Sequence, residues 1–159
     1  MIAGLQIIRP IALDAPALTQ LAFAAKRHWG YPDSWIEAWR NAPTITADSV
    51  QNSDLHMAVV ANQIVGFYGL LCESDVLHLN DLWVRPGWMG RGIGRALFMH
   101  AMARAAARGF AEVNIESDPN SEGFYLRMGA TRIGTRLTEV LGLRRELPLL
   151  TFRLRKTPE

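Results

Sequence analysis

Three glycines, Gly90, Gly92 and Gly94, stand two residues apart inside LWVRPGWMGRGIGRAL, the stretch from Leu82 to Leu97. The spacing predicts a strand that runs into a glycine-rich turn and straight on into a helix. The first turn of a helix has free N–H groups with the macrodipole behind them, so it can hold an anion before any side chain helps. Glycine removes the Cβ atoms that would keep a phosphate off the backbone. Inside a helix it costs ~1 kcal/mol relative to alanine, so its repetition needs a reason. Phosphate binding is one reason, and close packing of the helix on a sheet is the other. Five arginines (Arg85, Arg91, Arg95, Arg104, Arg108) and no acid lie between Leu82 and Ala111. Arginine suits phosphate oxygens, although an arginine-rich solvated helix face has the same composition.

No GK[ST] follows the glycines, which excludes a P-loop. The dinucleotide fingerprint G-x-G-x-x-G is broken because Arg95 takes its last place, although Glu112 or Glu116 stands where an acidic ribose partner belongs. A single cysteine, Cys72, allows no internal disulfide and no cysteine-based metal or redox centre. It has no helix N-terminus or base beside it in sequence, which makes it a poor covalent nucleophile.

The elements that must position the loop follow from periodicity and punctuation. Gln6–Ile11 reads as a strand ending near Asp14, a candidate helix cap. Ala15–Arg27 reads as a helix with Leu18, Leu21, Ala22 and Ala25 on one face. Gly30 and Pro32 break it, and a short second helix capped at Asp33 or Ser34 runs through Trp39. Leu55–Ala61 and Ile64–Leu71 form a hairpin about Asn62–Gln63, and Val76–Val84 is the next strand. Helix Gly92–Arg108, strand Ala111–Glu116, a helix opened by Pro119 and closed by Gly129, and strands Ile133–Val140 and Leu149–Leu154 complete the chain. The fold class is therefore α/β, on a mixed, mainly antiparallel sheet with four or so helices and one parallel crossover.

With 159 residues, 49% of them hydrophobic and 20% charged, the chain is expected to be a single folded domain over 1–159. The net charge of +2 is uneven. Up to Asp81 there are four Lys/Arg against eight Asp/Glu, and beyond it thirteen against seven. The basic half has no lysine before Lys156, no basic run longer than two and no helix-turn-helix or zinc pattern, which argues against nucleic acid. The longest apolar stretches fall short of a bilayer span, and the N-terminus lacks the basic region of a signal peptide. A soluble cytoplasmic protein without membrane or metal partners is expected, and a homodimer is compatible with the sequence.

Two motifs in the right order then resemble the GNAT (general control non-repressible-related) N-acetyltransferase superfamily, over nearly the whole chain. LNDLWVRPGWMGRGIGRAL is similar to that family's fourth strand, pyrophosphate loop and following helix, whose signature is Q/R-x-x-G-x-G/A. Gly92 and Gly94 fill the glycine places, and Met89 stands where glutamine or arginine is usual. NIESDPNSEGFYLRMGA resembles its next strand and helix, with the pattern P-N-x-x-x-F-Y-x-x-x-G-A/F. IIRPIALDAPAL and LPLLTFRL resemble its first and last strands.

The resemblance implies an enzyme of the GNAT-like acyl-CoA N-acyltransferase fold that moves the acetyl group of acetyl-CoA, its co-substrate, to a small-molecule or peptide amine. The pyrophosphate of CoA would lie on Met89, Gly90, Arg91, Gly92, Ile93, Gly94 and Arg95. The backbone of Leu82, Trp83 and Val84 would pair with the pantetheine arm and polarise the thioester. A bulge in the family splays the strands corresponding to Val76–Val84 and Ala111–Glu116. Tyr125 falls where the family has the tyrosine that protonates the CoA thiolate, and Asn120 where it has an asparagine that contacts CoA. Phe124 and Tyr125 point about 100° apart on a helix, so Phe124 is expected in the core while Tyr125 faces the cleft.

The acceptor ammonium must lose a proton, and His78, Asp81 and Glu37 are the candidate bases. Strand alternation puts His78, Asn80, Leu82 and Val84 on one face and Leu79, Asp81 and Trp83 on the other. Glu37 lies in the region that lines the acceptor pocket in similar proteins. His28, Trp29 and Tyr31 are candidate walls of that pocket, where an ammonium could meet aromatic faces. Trp35 and Trp39, four apart, read as a packing pair. Arg144 and Arg145 could meet an acidic acceptor or simply solvate a hairpin. A silent acyl-CoA sensor, a dinucleotide module and a partner-binding domain remain as alternatives.

Overall fold

Two tight turns organise the middle of the chain. In the computed structural model, which describes residues 2–40 and 45–155, Ala61 and Asn62 have φ of 48° and 65°, and Ser74 and Asp75 have 50° and 65°. Two left-handed residues in succession give the turn whose twist suits paired strands, so each turn joins antiparallel neighbours. Strand β1 is Gln6–Ile8, β2 is Asp54–Val60, β3 is Gln63–Glu73 and β4 is Val76–Val84. After them come β5 (Glu112–Glu116), β6 (Thr131–Val140) and β7 (Leu143–Arg153). The seven strands form one mixed, mostly antiparallel sheet in the order β1-β2-β3-β4-β5-β7-β6. Strand β4 runs parallel to β5 at His78↔Asn114 and Leu79↔Ile115, and this register ends before Asp81–Val84 is reached.

The helices are α1 (Ala15–His28), α2 (Asp33–Arg40), α3 (Ala47–Asn52), α4 (Ile93–Ala107) and α5 (Glu122–Met128). Five α-helices are described where about four were expected. Helix α3 has no apolar period in ADSVQN. It forms from a capping box in which Ser49 N–H donates to Thr46 Oγ1 at 3.2 Å and Thr46 N–H to Ser49 Oγ at 2.7 Å. Asp14 does not cap α1 with its side chain. Its carboxylate accepts instead from the Ile11 N–H at 2.8 Å and closes a 3-10 turn over Ala12–Asp14, and β1 is shorter than expected, ending at Ile8. Pro119 likewise opens a 3-10 turn, Pro119–Ser121, ahead of α5. Strand β7 starts six residues earlier than expected, so Arg144 and Arg145 lie in the strand.

The chain divides into two compact units, one made of the residues up to Gly69 with Asp81–Phe98, the other of Leu70–Asn80 with the residues from Met99 onward. In the first, Leu18, Leu21 and Ala22 of α1 bury against Leu55, Met57 and Phe67. That is the helix face the periodicity marks. In the second, Leu77, Leu79, Ala101, Ala105, Val113, Ile115 and Leu150 are buried. Each such leucine, isoleucine, valine, methionine or phenylalanine contributes about 1.5–3 kcal/mol on leaving water.

Candidate active site

Strand β4 carries the first part of the site. Asp81 and Trp83 lie two residues apart and so share a face, and the Trp83 indole Nε1–H donates to Asp81 Oδ1 at 3.2 Å. His78 is half-buried and belongs to the other parity, with the exposed Asn80. Beyond Val84, the Arg85 N–H donates to the Val65 carbonyl of β3 at 2.8 Å, and Arg85 Nε to the Ile64 carbonyl at 2.8 Å. Backbone groups alternate sides along a strand, so the N–H groups of Leu82 and Val84 point to the edge of β4 away from β3.

The glycine loop follows. Gly90 has φ +76° and Gly92 φ +89°, and a Cβ built on either would meet nothing within 4 Å. Internal packing therefore does not account for these glycines. The left-handed backbone and the open ground beside it do. The close approach is made elsewhere, at Gly66 of β3, where a Cβ would lie 2.8 Å from the Trp83 carbonyl oxygen and 2.9 Å from Leu97 Cδ1. Gly66 seats α4 against β3 and so fixes where its first turn points. Gly94 is half-buried in that turn, and Ile93 beside it is fully buried. Arg91 and Arg95 are exposed at the same end, and the Arg91 guanidinium lies 5.0 Å over the Trp88 ring. Met89 is half-buried just before it. Arg85 is spent on β3, which leaves Arg91 and Arg95 as the loop's arginines in this unit.

Around Asp81 the chain builds a carboxyl site. Burial raises its pKa from 3.8 to about 6, against the opposing pull of the Trp83 hydrogen bond and of the Lys26 charge. The Lys26 ammonium lies 4.2 Å over the Trp39 ring and 5.2 Å over the Trp83 ring. At Gly69 of β3 a Cβ would lie 2.7 Å from Leu55 Cδ2 and 3.4 Å from Asp81 Oδ2, so glycine lets both side chains close on that strand.

The other candidates of this unit are dispersed. Glu37 is exposed and pairs with Arg40 at 3.0 Å on the same helix. His28 and Trp29 are exposed and meet edge to face at 5.1 Å. Tyr31 stacks on Trp35 at 5.7 Å and meets Trp39 edge-on at 5.4 Å, so it shares the aromatic cluster that Trp35 and Trp39 form at 6.0 Å.

In the second unit, Asn120 and Tyr125 follow β5. Tyr125 is buried, 5% exposed, and sits 5.3 Å from the half-buried Phe124 ring, so of the two it is Tyr125, not Phe124, that lies deeper, the reverse of the expected order. Asn120 is exposed, and both its N–H and its Nδ2 donate to Asp118 Oδ1, at 2.8 and 2.9 Å. Arg145 pairs with Asp118 at 3.0 Å, and the two side chains are only 14% and 8% exposed. It neither solvates a hairpin nor stands free for an acceptor. Arg136–Glu116 at 2.8 Å and Arg132–Glu122 at 2.9 Å repeat the arrangement. Three arginines of β6 and β7 thus pair with three acids of the segment that leads into α5.

Lys26, Gly66, Gly69 and the Arg145–Asp118 pair were not singled out from sequence. An isolated glycine in a strand pattern is the signal that could have drawn notice to Gly66 and Gly69. No helix of the described residues is long and apolar enough to cross a membrane. Among the described residues no cluster of three or more His, Cys, Asp or Glu could hold a metal ion.

Residues 31–144 match the acetyltransferase (GNAT) domain family. No curated protein sequence matches the chain. Among solved structures it is similar to a GCN5-related N-acetyltransferase of Rhodopseudomonas palustris, at 19% identity and a TM-score of 0.83, covering 97% of this chain and 98% of that one. The PaiA N-acetyltransferase of Thermoplasma acidophilum, solved in complex with coenzyme A, is 15% identical with a TM-score of 0.75, covering 94% and 98%. The ribosomal-protein-S18-alanine N-acetyltransferase of Escherichia coli is 18% identical with a TM-score of 0.71, covering 98% and 97%.

Proposed function

The chain belongs to the GNAT acetyltransferase family, and from that premise we propose that it moves the acetyl group of acetyl-CoA to a primary amine by direct attack. The observation that carries this is the pair Gly90 and Gly92, left-handed and open to solvent, before a fifteen-residue helix. Such a cradle fits a diphosphate, because the bared N–H groups and the helix dipole both favour an anion. Arg91 and Arg95 add charge where the phosphates would lie, and Asn120 adds a side-chain contact.

Acetyl-CoA supplies an acyl carbon already activated as a thioester. The N–H groups of Leu82 and Val84 hold the pantetheine arm, and one of them stabilises the oxyanion as the amine attacks. Asp81 takes the proton of the acceptor ammonium, since its pKa of about 6 leaves it ionised yet basic near neutrality. His78 lies on the other parity of β4 and Glu37 is engaged by Arg40, which leaves Asp81 as the base. Tyr125 gives its phenolic proton to the departing thiolate.

The test is thermal shift with acetyl-CoA and with NAD, followed by thiol release over a library of amines. Stabilisation by acetyl-CoA and thiol release with at least one amine are expected. Stabilisation by NAD alone overturns the assignment, and binding without turnover on any amine reduces the protein to an acyl-CoA sensor.

A further inference from the structure

Lys26 of α1 sits where no acceptor or cofactor role calls for it. Its ammonium lies over two indole faces, 4.2 Å from Trp39 and 5.2 Å from Trp83, with the Phe23 ring at 5.8 Å. One of those indoles, Trp83, donates its Nε1–H to Asp81. We propose that Lys26 is a positioning residue for the reaction, one that holds the Trp83 indole against Asp81 and keeps that carboxyl ionised to receive the acceptor's proton.

Two effects run the same way. A cation over an indole face is attracted by the ring's quadrupole, which restrains the Trp83 ring in the plane that its N–H needs to reach Asp81 Oδ1. The same charge polarises the indole, makes its N–H a better donor and acts on the carboxylate directly. The carboxyl is otherwise pushed toward the neutral form by burial, and Lys26 and Trp83 are the two groups that oppose this.

Lys26 is the charge that lowers the Asp81 pKa. From β3 the facing position is Gly69, which carries none, and beside it lies Leu55 of β2. From α2 come Trp39, also uncharged, and Arg40, whose guanidinium pairs with Glu37 at 3.0 Å and lies 5.8 Å over the Phe23 ring. Through them the proton balance is simple: Asp81 carboxylate and an ammonium become the carboxylic acid and a free amine, whose lone pair then attacks.

The inference rests on Asp81 being the base, and the experiment separates the two. The pH profile of kcat/KM is recorded for the unsubstituted protein and for Lys26→Met, Lys26→Arg, Trp83→Phe and Asp81→Asn. In parallel the Asp81 carboxyl is titrated by 13C NMR in the folded proteins without substrate. Lys26→Met and Trp83→Phe should move the acidic limb and the NMR midpoint to higher pH, while Lys26→Arg leaves both in place. A limb displaced upward by one pH unit lowers the rate on its acidic side about tenfold and leaves the plateau alone. A loss of rate equal at every pH in Lys26→Met, with an unmoved NMR midpoint, overturns the role of Lys26. An acidic limb that persists in Asp81→Asn overturns Asp81 as base, and the NMR titration still decides whether Lys26 governs its charge. Where methionine disturbs the aromatic cluster, Lys26→Gln carries the same expectations.

Discussion

The indole N–H of Trp83 donates to the carboxylate of Asp81, two residues back on the same strand, at 3.2 Å. A strand that twists keeps i and i+2 on one face, so the pair needs no loop to bring it together.

The pKa of Asp81, raised to about 6, makes stability depend on pH. Between the unfolded value near 3.8 and about 6, the folded protein holds a proton that the unfolded chain has lost. Stability therefore falls as pH rises through this window and stays lower above it. Asp81→Asn should raise the melting temperature at pH 8 and give no gain at pH 4, the difference being at most about 3 kcal/mol. Thermal unfolding at the two pH values checks it, and an equal gain at both would show that the carboxylate is not penalised by burial. The same variant should lose about 100-fold or more in kcat while keeping its affinity for acetyl-CoA.

Tyr125→Phe preserves the ring in its buried place and removes only the hydroxyl. Turnover should fall at least about tenfold at saturating substrates, with acetyl-CoA affinity little changed. Steady-state kinetics beside calorimetric titration measure both. Undiminished turnover would take the phenol out of the mechanism.

Gly66 and Gly92 should fail in opposite ways. A methyl group at Gly66 collides with the Trp83 carbonyl at 2.8 Å, so Gly66→Ala should cost about 1–3 kcal/mol in urea unfolding. Gly92→Val has open space but a strained φ of +89°, so it pulls the loop backbone out of the conformation that bares its N–H groups. It should weaken acetyl-CoA binding more than about tenfold, or about 1.4 kcal/mol, in a protein that still folds. Retained affinity would count against the backbone cradle.

Asp118 and Arg145 form a shielded pair, so removing one partner strands the other. Arg145→Met should destabilise by about 3 kcal/mol, and adding Asp118→Asn should restore much of it. A double-mutant cycle in urea gives the coupling. Additive losses would mean that the pair contributes nothing as a pair.

The order of the main elements was legible because each signal was local: the turn about Asn62–Gln63, the apolar face of α1, the glycines before α4 and the alternation in β4. The resemblance of two motifs supplied the family. What the sequence hid depends on which of several partners a polar group takes, nearby or far along the chain. Asp14 has the right type for a cap, but the Ile11 N–H lies nearer and takes its carboxylate. Helix α3 is held by two reciprocal hydrogen bonds in a polar hexapeptide, where periodicity is silent. Arg145 looks like any surface arginine until β7 is paired and Asp118 comes within 3.0 Å. Lys26 lies 55 positions before Asp81, and no spacing rule joins α1 to a strand so far along.

The sheet order β5-β7-β6 has a consequence for synthesis on the ribosome. The strand that must lie against β5 is made after β6, so a nascent chain halted near Leu141 leaves one flank of Val113–Ile115 bare. An open edge of that kind recruits other chains, and ribosome-stalled fragments ending there should aggregate where those extended through Arg153 do not.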